Sequence, residues 1–230
     1  MKGVILAGGK GTRISPLTLV TSKQLLPVFD KPLIYYPICT LMELQVQEIL
    51  IITTREHHET FRKVLGDGSQ FGIILSYRIQ ENPEGLAQGV TLSKNFVGNE
   101  NFYFILGDNL FHGNDFLNLE YSNDGATIFT KQVKDPENYG VVQFDIQGNV
   151  INLIEKPVSY VSSDAVVGLY RYDDTAFERV KKITKSSRGE LEITELNKSY
   201  LLDSKLQIVK LTNGTTWFDT GRRYFLRALQ

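Results

Sequence analysis

A buried strand that runs directly into a glycine-rich loop is the feature of this sequence that most restricts its fold. Residues 1–6 form a short apolar run, and Gly8, Gly9 and Gly11 follow it closely. Glycine has no Cβ, so such a loop allows backbone N–H groups to approach phosphate oxygens. The pattern therefore predicts an α/β protein whose first strand leads into a phosphate-binding loop. A tight turn between strand and helix, without a ligand, is the structural alternative.

Two common phosphate-binding loops do not fit this segment. A P-loop requires G-x-x-x-x-G-K-[ST], but Lys10 is followed by another glycine. A dinucleotide-binding fingerprint requires a third glycine where Ile14 stands, which counts against an NAD-type Rossmann enzyme. The loop carries two cations, Lys10 and Arg13, and Lys23 would stand beside it if the chain doubles back before Pro27. Arg13 could then bind a triphosphate as a bidentate fork, and Lys23 could bind it as a point charge.

Strand and helix patterns alternate along the first half of the chain. Strands are predicted at residues 48–52, 73–80 and 102–106, and helices at residues 33–44, 56–65 and 86–96. Closely spaced strands follow at residues 126–133, 140–144, 150–154, 165–172 and 206–211, with helices at 173–183 and 191–203. The pattern predicts a Rossmann-like three-layer α/β sandwich with a mostly parallel mixed sheet and an added antiparallel, substrate-binding part. A single domain over residues 1–230 is expected.

Composition excludes several classes of protein. The formal net charge of −1 leaves no broad basic surface, so nucleic acid is not an expected partner. No apolar stretch approaches the roughly 20 residues that span a bilayer, and the first residues lack signal-peptide features. Cys39 is the single cysteine, which excludes an internal disulfide and suits a cytoplasmic location. Its apolar helical surroundings predict that Cys39 lies in the core.

Two acids and one amide stand where a site would form. Asp108 follows the strand at 102–106, and Asp219 precedes Gly221. Ligands of open α/β sheets bind at the carboxyl ends of strands, and two carboxylates suit Mg²⁺, although Asp at such positions is also a common turn former. Gln80 ends a strand, and its amide could match the N3–H and O4 edge of thymine or uracil. An exposed glutamine before a loop is the alternative.

Nine motifs in order resemble those of the sugar-1-phosphate nucleotidyltransferases. They lie at residues 6–13, 23–27, 31–37, 85–88, 106–109, 139–142, 155–157, 188–194 and 217–221. The resemblance covers essentially the whole chain, and within the family the sequence is similar to the glucose-1-phosphate thymidylyltransferases.

The resemblance implies a role for each matching position. It implies nucleotide binding by Gly8, Gly9, Gly11, Thr12, Arg13, Lys23, Gln24, Gln80, Gly85 and Asp108. It implies sugar binding by Asn109, Gly140, Glu155, Lys156 and Val166. Asp108 and Asp219 are the implied Mg²⁺ ligands, and Arg13, Lys23 and Lys156 are the implied catalytic residues.

The implied reaction joins dTTP and glucose 1-phosphate. An oxygen of the sugar phosphate attacks the α-phosphorus, and pyrophosphate leaves in line, giving dTDP-glucose. Members of the family commonly continue past Trp217 with a helical carboxy-terminal segment, so a short form without that segment is expected. A UTP-using relative and a catalytically silent nucleotide-sugar-binding subunit remain as alternatives, and assembly into a homo-oligomer is left open.

Overall fold

A nine-stranded mixed sheet forms the centre of the computed structural model, which describes residues 1–9, 11, 14–117 and 119–221. The strands of the structure are β1 (Lys2–Leu6), β2 (Pro27–Val28), β3 (Lys31–Pro32), β4 (Glu48–Thr54), β5 (Ile74–Gln80), β6 (Phe102–Leu106), β7 (Asn109–His112), β8 (Ala126–Gln132), β9 (Gly140–Phe144), β10 (Val150–Glu155), β11 (Asp164–Tyr172), β12 (Leu206–Lys210) and β13 (Thr216–Asp219). The α-helices are α1 (Tyr35–Glu43), α2 (His58–Leu65), α3 (Ala87–Val97), α4 (Ala176–Val180) and α5 (Ile193–Leu202).

The parallel part of the sheet has the order β6-β1-β4-β5. The chain builds outward from β1 through β4 to β5, and then returns to place β6 on the other side of β1. Strand order therefore reverses between β1 and β6, and such a reversal opens a crevice at the carboxyl ends of the two strands. Directly beyond β6, the backbone N–H of Gly107 donates to the carbonyl of Leu6 at 2.9 Å, which holds the two strand ends together.

Both faces of the sheet are covered, which explains why its central strands are apolar at consecutive positions. Val4 and Leu6 point into a core shared with α3, α4 and α5, whereas Ile5 points into a core shared with α1 and α2. Successive side chains of a strand face opposite sides, so a strand buried on both sides cannot alternate with polar residues. The predicted three-layer α/β sandwich is confirmed.

The added part of the sheet is organised around the long strand β11. Its second half pairs antiparallel with β6, its first half touches β9, and β8 runs along its other edge. The register of the β8–β11 pair shifts between Val166 and Tyr170, as at a β-bulge. This part is antiparallel as predicted, except that β12 pairs parallel with β8.

The sequence predicted Asp219 at the end of a strand, which is β13, but indicated neither strand β7 nor the pairing of β7 with β13. The two strands pair antiparallel with each other, outside the main sheet, and place Asp219 opposite Asn109. Each strand has four residues, too few for a clear period-2 pattern. Their pairing joins segments more than a hundred residues apart, which local pattern cannot reveal.

The prediction that Cys39 lies in the core is wrong. Cys39 is exposed on α1, whereas Ile34, Ile38 and Leu41 are fully buried. These three residues follow helical spacing on one face, and Cys39 falls on the opposite face. Among the described residues, no helix is long and apolar enough to cross a membrane.

Removing the Leu41 side chain should destabilise the fold, because a Cβ on Gly3 would lie 2.8 Å from Leu41 Cδ1, so this side chain rests directly on β1. For Leu41→Ala we expect a loss of about 2–5 kcal/mol in the free energy of unfolding. Leu202→Ala removes the same atoms from an 84% exposed side chain and should change it by less than about 0.5 kcal/mol. Urea denaturation followed by circular dichroism measures both, and equal losses would contradict this packing.

Candidate active site

A cavity of about 320 Å³ lies at the carboxyl ends of β1 and β6, where the strand order reverses. Its size suits a small ligand. It brings together twelve of the residues predicted for the site, namely Gly8, Gly9, Gly11, Lys23, Gln24, Asp108, Asn109, Gly140, Glu155, Lys156, Val166 and Asp219. Thr12 and Arg13 lie outside the described residues, so their predicted roles stay predictions.

Lys23 and Asp108 form an ion pair at one wall of this cavity. Lys23 begins a 3₁₀ turn (Lys23–Leu25), and its Nζ contacts Asp108 Oδ2. Burial raises the pKa of Asp108, but the charge of Lys23 and hydrogen bonds from Lys23 and Asn109 together outweigh it. The pKa of Asp108 is therefore below its usual value of 3.8. Asp108 is ionised at neutral pH and presents a carboxylate to the cavity.

The pairing of β7 with β13 brings the second predicted metal ligand, Asp219, to the same wall. The backbone carbonyl of Asp108 accepts hydrogen bonds from the Thr220 backbone N–H at 3.1 Å and from Thr220 Oγ1 at 2.8 Å. The backbone N–H of Gly221 donates to Asp219 Oδ1 at 2.8 Å. These bonds connect the two acidic segments and fix the turn that follows Asp219.

The chemistry of this wall fits a divalent cation. A Cβ on Gly221 would lie 2.8 Å from Asp219 Oδ1 and 3.4 Å from Lys23 Nζ, so Gly221 lies against both the second acid and the ammonium group that pairs with Asp108. In the described part of the chain, no three His, Cys, Asp or Glu side chains cluster as metal ligands. A Mg²⁺ ion here would therefore take these two carboxylates and complete its coordination with phosphate oxygens and water.

Asn109 connects three parts of the fold. Its Oδ1 accepts from Trp217 Nε1 at 2.6 Å and from the Gly168 backbone N–H at 3.2 Å, and its Nδ2 donates to Asp108 Oδ1 at 3.0 Å. The predicted sugar ligand is thus buried and mostly engaged within the protein. Asn109 orients the Asp108 carboxylate. Its second amide N–H has no partner among the described residues and is available to a ligand.

Two aromatic residues line the cavity that the sequence did not single out. The rings of Tyr139 and Trp217 meet edge to face, with centroids 5.3 Å apart. Burial, and then the charge of Asp219, raise the pKa of Tyr139 to about 12, so its phenol is neutral at physiological pH. Both residues belong to motifs that carry the family resemblance, at residues 139–142 and 217–221. Their membership in these motifs is the one sequence feature that could have identified them as site residues.

Glu155 lies at the far end of the cavity within a network of donors. Its Oε2 accepts from Thr194 Oγ1 at 2.5 Å, and its Oε1 accepts from Arg188 Nη2 at 3.1 Å. A Cβ on Gly140 would lie 2.8 Å from Thr194 Oγ1 and 3.2 Å from Glu155 Oε2, so a larger residue there would crowd the carboxylate. Because glycine has no side chain, position 140 leaves space beside the oriented carboxylate of Glu155.

Lys156 follows Glu155 at the end of β10 in a left-handed conformation, with φ of 43°. A non-glycine residue rarely adopts this conformation. The Lys156 backbone N–H donates to the Tyr139 carbonyl at 2.9 Å, and Lys156 Nζ lies 3.8 Å from Glu155 Oε1. The bend therefore places a cation and an anion side by side at the cavity wall.

Gln80 and Gly85 border the cavity without lining it. The buried side chain of Gln80 lies against Gly8, where a Cβ would collide with Gln80 Oε1. Gly85 has a φ of 114°, and a Cβ there would lie 2.5 Å from the Leu191 backbone N and O. Glycine at position 85 thus allows the loop to pack against Leu191, while the following residue, Leu86, lines the cavity.

Comparison with known proteins agrees with this geometry. The family described as nucleotidyl transferase matches residues 2–227. The glucose-1-phosphate thymidylyltransferase of Neisseria meningitidis serogroup A / serotype 4A is 48% identical over 225 residues, which are 96% of this chain and 78% of that protein. The protein of the same name from Mycolicibacterium smegmatis is also 48% identical, with the same coverage of both chains.

Solved structures show the same fold. A Bacillus anthracis protein described as a glucose-1-phosphate thymidylyltransferase, crystallised with a sucrose, superposes with a TM-score of 0.90 at 39% identity. That match covers 100% of this chain and 93% of the other. A UDP-glucose pyrophosphorylase complexed with UDP-glucose superposes with a TM-score of 0.80 at 22% identity, covering 99% and 96% of the two chains. The second likeness concerns the fold alone.

Replacing Lys23 should raise the pKa of Asp108, because burial then acts without the opposing ammonium charge. We expect this rise in Lys23→Met, measured by ¹³C NMR titration of the carboxyl group. In the wild type, a lowered pKa means that ionised Asp108 stabilises the fold above the usual aspartate pKa and that this contribution is lost as the pH falls through the lowered value.

Asp145 is the internal control for this titration. Hydrogen bonds from Asn149 and from the Gln147 backbone N–H, within its own turn, lower the pKa of Asp145. That pKa should be the same in both proteins. An unchanged pKa of Asp108 in Lys23→Met would contradict the role of the ion pair.

Proposed function

The chain belongs to the nucleotidyl transferase family, and from this premise we propose that it transfers a deoxythymidylyl group from dTTP to glucose 1-phosphate. The products are dTDP-glucose and pyrophosphate. One observation carries the proposal: a single cavity at the strand-order reversal joins the glycine loop, two aspartates and the Glu155–Lys156 pair. We further propose that residues 1–230 form one nucleotidyltransferase domain.

In this proposal the triphosphate lies along the loop that follows β1. Gly8, Gly9 and Gly11 line the cavity there and offer backbone N–H groups without side-chain obstruction. Lys23 supplies positive charge from the neighbouring wall. Arg13, proposed from the sequence, would add a second cation at the pyrophosphate that leaves.

Asp108 and Asp219 are the residues that would hold Mg²⁺. Nucleotidyl transferases of this family generally depend on a divalent metal ion. When bound, the ion supplies positive charge against the phosphate groups of both substrates. The protein's own part is to keep the Asp108 carboxylate ionised and oriented through Lys23 and Asn109, and to hold the Asp219 carboxylate through the Gly221 backbone N–H.

Glucose 1-phosphate would occupy the other end of the cavity. Glu155, held by Thr194 and Arg188, accepts hydrogen bonds from sugar hydroxyls in this proposal, and Lys156 neutralises the attacking phosphate. An oxygen of that phosphate forms a bond to the α-phosphorus of dTTP, and the bond to the β-phosphate breaks. The attacking group is already an anion, so no general base is needed. Positioning and charge stabilisation supply most of the rate.

A panel of nucleotides tests the proposed substrate. With Mg²⁺ and glucose 1-phosphate, pyrophosphate release should be fastest with dTTP when dTTP, UTP, dCTP, ATP and GTP are compared. Preference for UTP would replace the proposed product by a uridine diphospho-sugar. No release with any nucleotide from a folded protein would overturn the proposed activity in favour of a silent binding subunit.

Loss of either acidic residue should slow turnover. We expect Asp108→Asn and Asp219→Asn to lower kcat by about 100-fold or more, the scale of losing one preorganised electrostatic contact. Asp174→Asn is the matched control, because Asp174 is exposed at the surface and absent from the cavity wall. Turnover close to wild type in Asp108→Asn would remove that residue from the proposed metal site.

A further inference from the structure

The side chain of Gln80 is held by a second glutamine. Gln80 is 2% exposed, and its Nε2 donates to Gln88 Oε1 at 2.5 Å. Gln80 Oε1 stands on the other side of the amide, against Gly8, and accepts no hydrogen bond from the described residues. The donor end of this amide is therefore used inside the protein, and its acceptor end faces the loop that lines the cavity.

A backbone group fixes the direction of this hydrogen bond. Gln88 Oε1 also accepts from the backbone N–H of Glu84 at 3.1 Å. A backbone N–H can only donate, so the atom of Gln88 that faces it must be the carbonyl oxygen. That oxygen can accept from Gln80 only if Gln80 presents its NH₂ group. The amide of Gln80 is thus oriented by the main chain at Glu84, with Gln88 as the intermediate.

The rest of the chain of contacts supports the same direction. Gln88 Nε2 donates to Glu84 Oε2 at 3.1 Å, and Glu84 Oε1 accepts from Lys185 Nζ at 2.7 Å. A flipped Gln88 would place its NH₂ group against the Glu84 N–H and its oxygen against a carboxylate. Both contacts would be repulsive, so only one orientation satisfies every member.

We infer that Gln88 is a positioning residue that turns the Gln80 carbonyl oxygen toward the cavity and thereby favours pyrimidine bases with an N3–H donor. This inference rests on the proposed thymidylyl transfer. Thymine and uracil carry a hydrogen on N3, which a fixed acceptor can bind. Cytosine has a lone pair on N3, which the same oxygen repels. A freely rotating Gln80 could bind either base by exchanging its two ends.

A purely structural role is the competing explanation. Gln88 lies in the first turn of α3 and accepts from the Glu84 N–H, so it also stabilises the loop before that helix. Loss of a structural contact would weaken stability and affect all nucleotides alike. Loss of amide orientation would change the ratio between bases, and this ratio separates the two explanations.

The test measures kcat/KM for dTTP and dCTP, together with equilibrium binding of each nucleotide by calorimetry. Gln88→Met keeps the length of the side chain and removes the acceptor. We expect the KM for dTTP to rise about 10-fold with little change in kcat, and the preference for dTTP over dCTP to fall about 10-fold, as for one lost hydrogen bond. Gln88→Ser, too short to reach Gln80, serves the same purpose if Gln88→Met does not fold.

Two further variants provide the controls. The double exchange Glu84→Gln with Gln88→Glu keeps an acceptor toward Gln80 and reverses the donor between positions 84 and 88, so it should restore the preference for dTTP. Lys185→Met removes only the half-exposed outer end of the chain of contacts and should leave the preference within about 2-fold of wild type.

The outcomes separate this inference from the proposed function. An equal loss for dTTP and dCTP in Gln88→Met, or an unchanged ratio, would overturn the positioning role. A wild type that binds dTTP more tightly than dCTP but transfers nothing would reject the proposed activity, and the binding ratios of the variants would still decide the role of Gln88.

Discussion

The pairing of β1 with β6 is the contact on which the rest of the site depends. After β5 the chain returns to the free side of β1 and forms β6 there. The carboxyl ends of β1 and β6 then lie side by side, and the segments that follow them diverge. The Gly107 N–H to Leu6 carbonyl bond closes this junction. The glycine loop leaves from one strand and Asp108 from the other, so phosphate-binding backbone and carboxylate face the same space. The reversal of strand order therefore brings the glycine loop and Asp108 to the same cavity.

Around that junction the protein controls charge by pairing. Asp108 would be difficult to keep ionised in a partly enclosed cavity, and Lys23 with Asn109 compensates for the loss of water. Glu155 also has cationic partners, since Arg188 Nη2 and Lys156 Nζ lie beside its Oε1, and Thr194 Oγ1 donates to its Oε2. The cavity therefore carries alternating anionic and cationic groups over a short distance. Such a surface suits substrates that are themselves polyanions with attached hydroxyl-bearing rings.

Sequence pattern predicted the parts of this fold whose burial is locally regular. β1, β4 and β6 are apolar at consecutive positions because both of their faces are covered, and α1, α2 and α3 show helical spacing. The pairing of β7 with β13 could not be predicted in this way, since four-residue strands carry little period and meet through long-range contact. The exposure of Cys39 could not be predicted from its apolar neighbours, because neighbours along the chain do not indicate which face of a helix a residue occupies.

For the site, residue types were predictable and orientations were not. Motifs identified Asp108, Gln80 and Glu155, but not which groups orient them; these are Lys23 and Asn109 for Asp108, Gln88 for Gln80, and Thr194 with Arg188 for Glu155. The backbone N–H of Glu84 is the clearest case, because almost every residue type has a backbone N–H and the sequence therefore cannot indicate which one acts as a donor. A main-chain donor is also beyond the reach of ordinary mutation. A lineage that needed a different base would have to replace Gln88 or Gln80, because the main-chain donor at Glu84 keeps the existing pair of amides in one orientation. The main chain at Glu84 thus acts as a conservative element in the evolution of specificity.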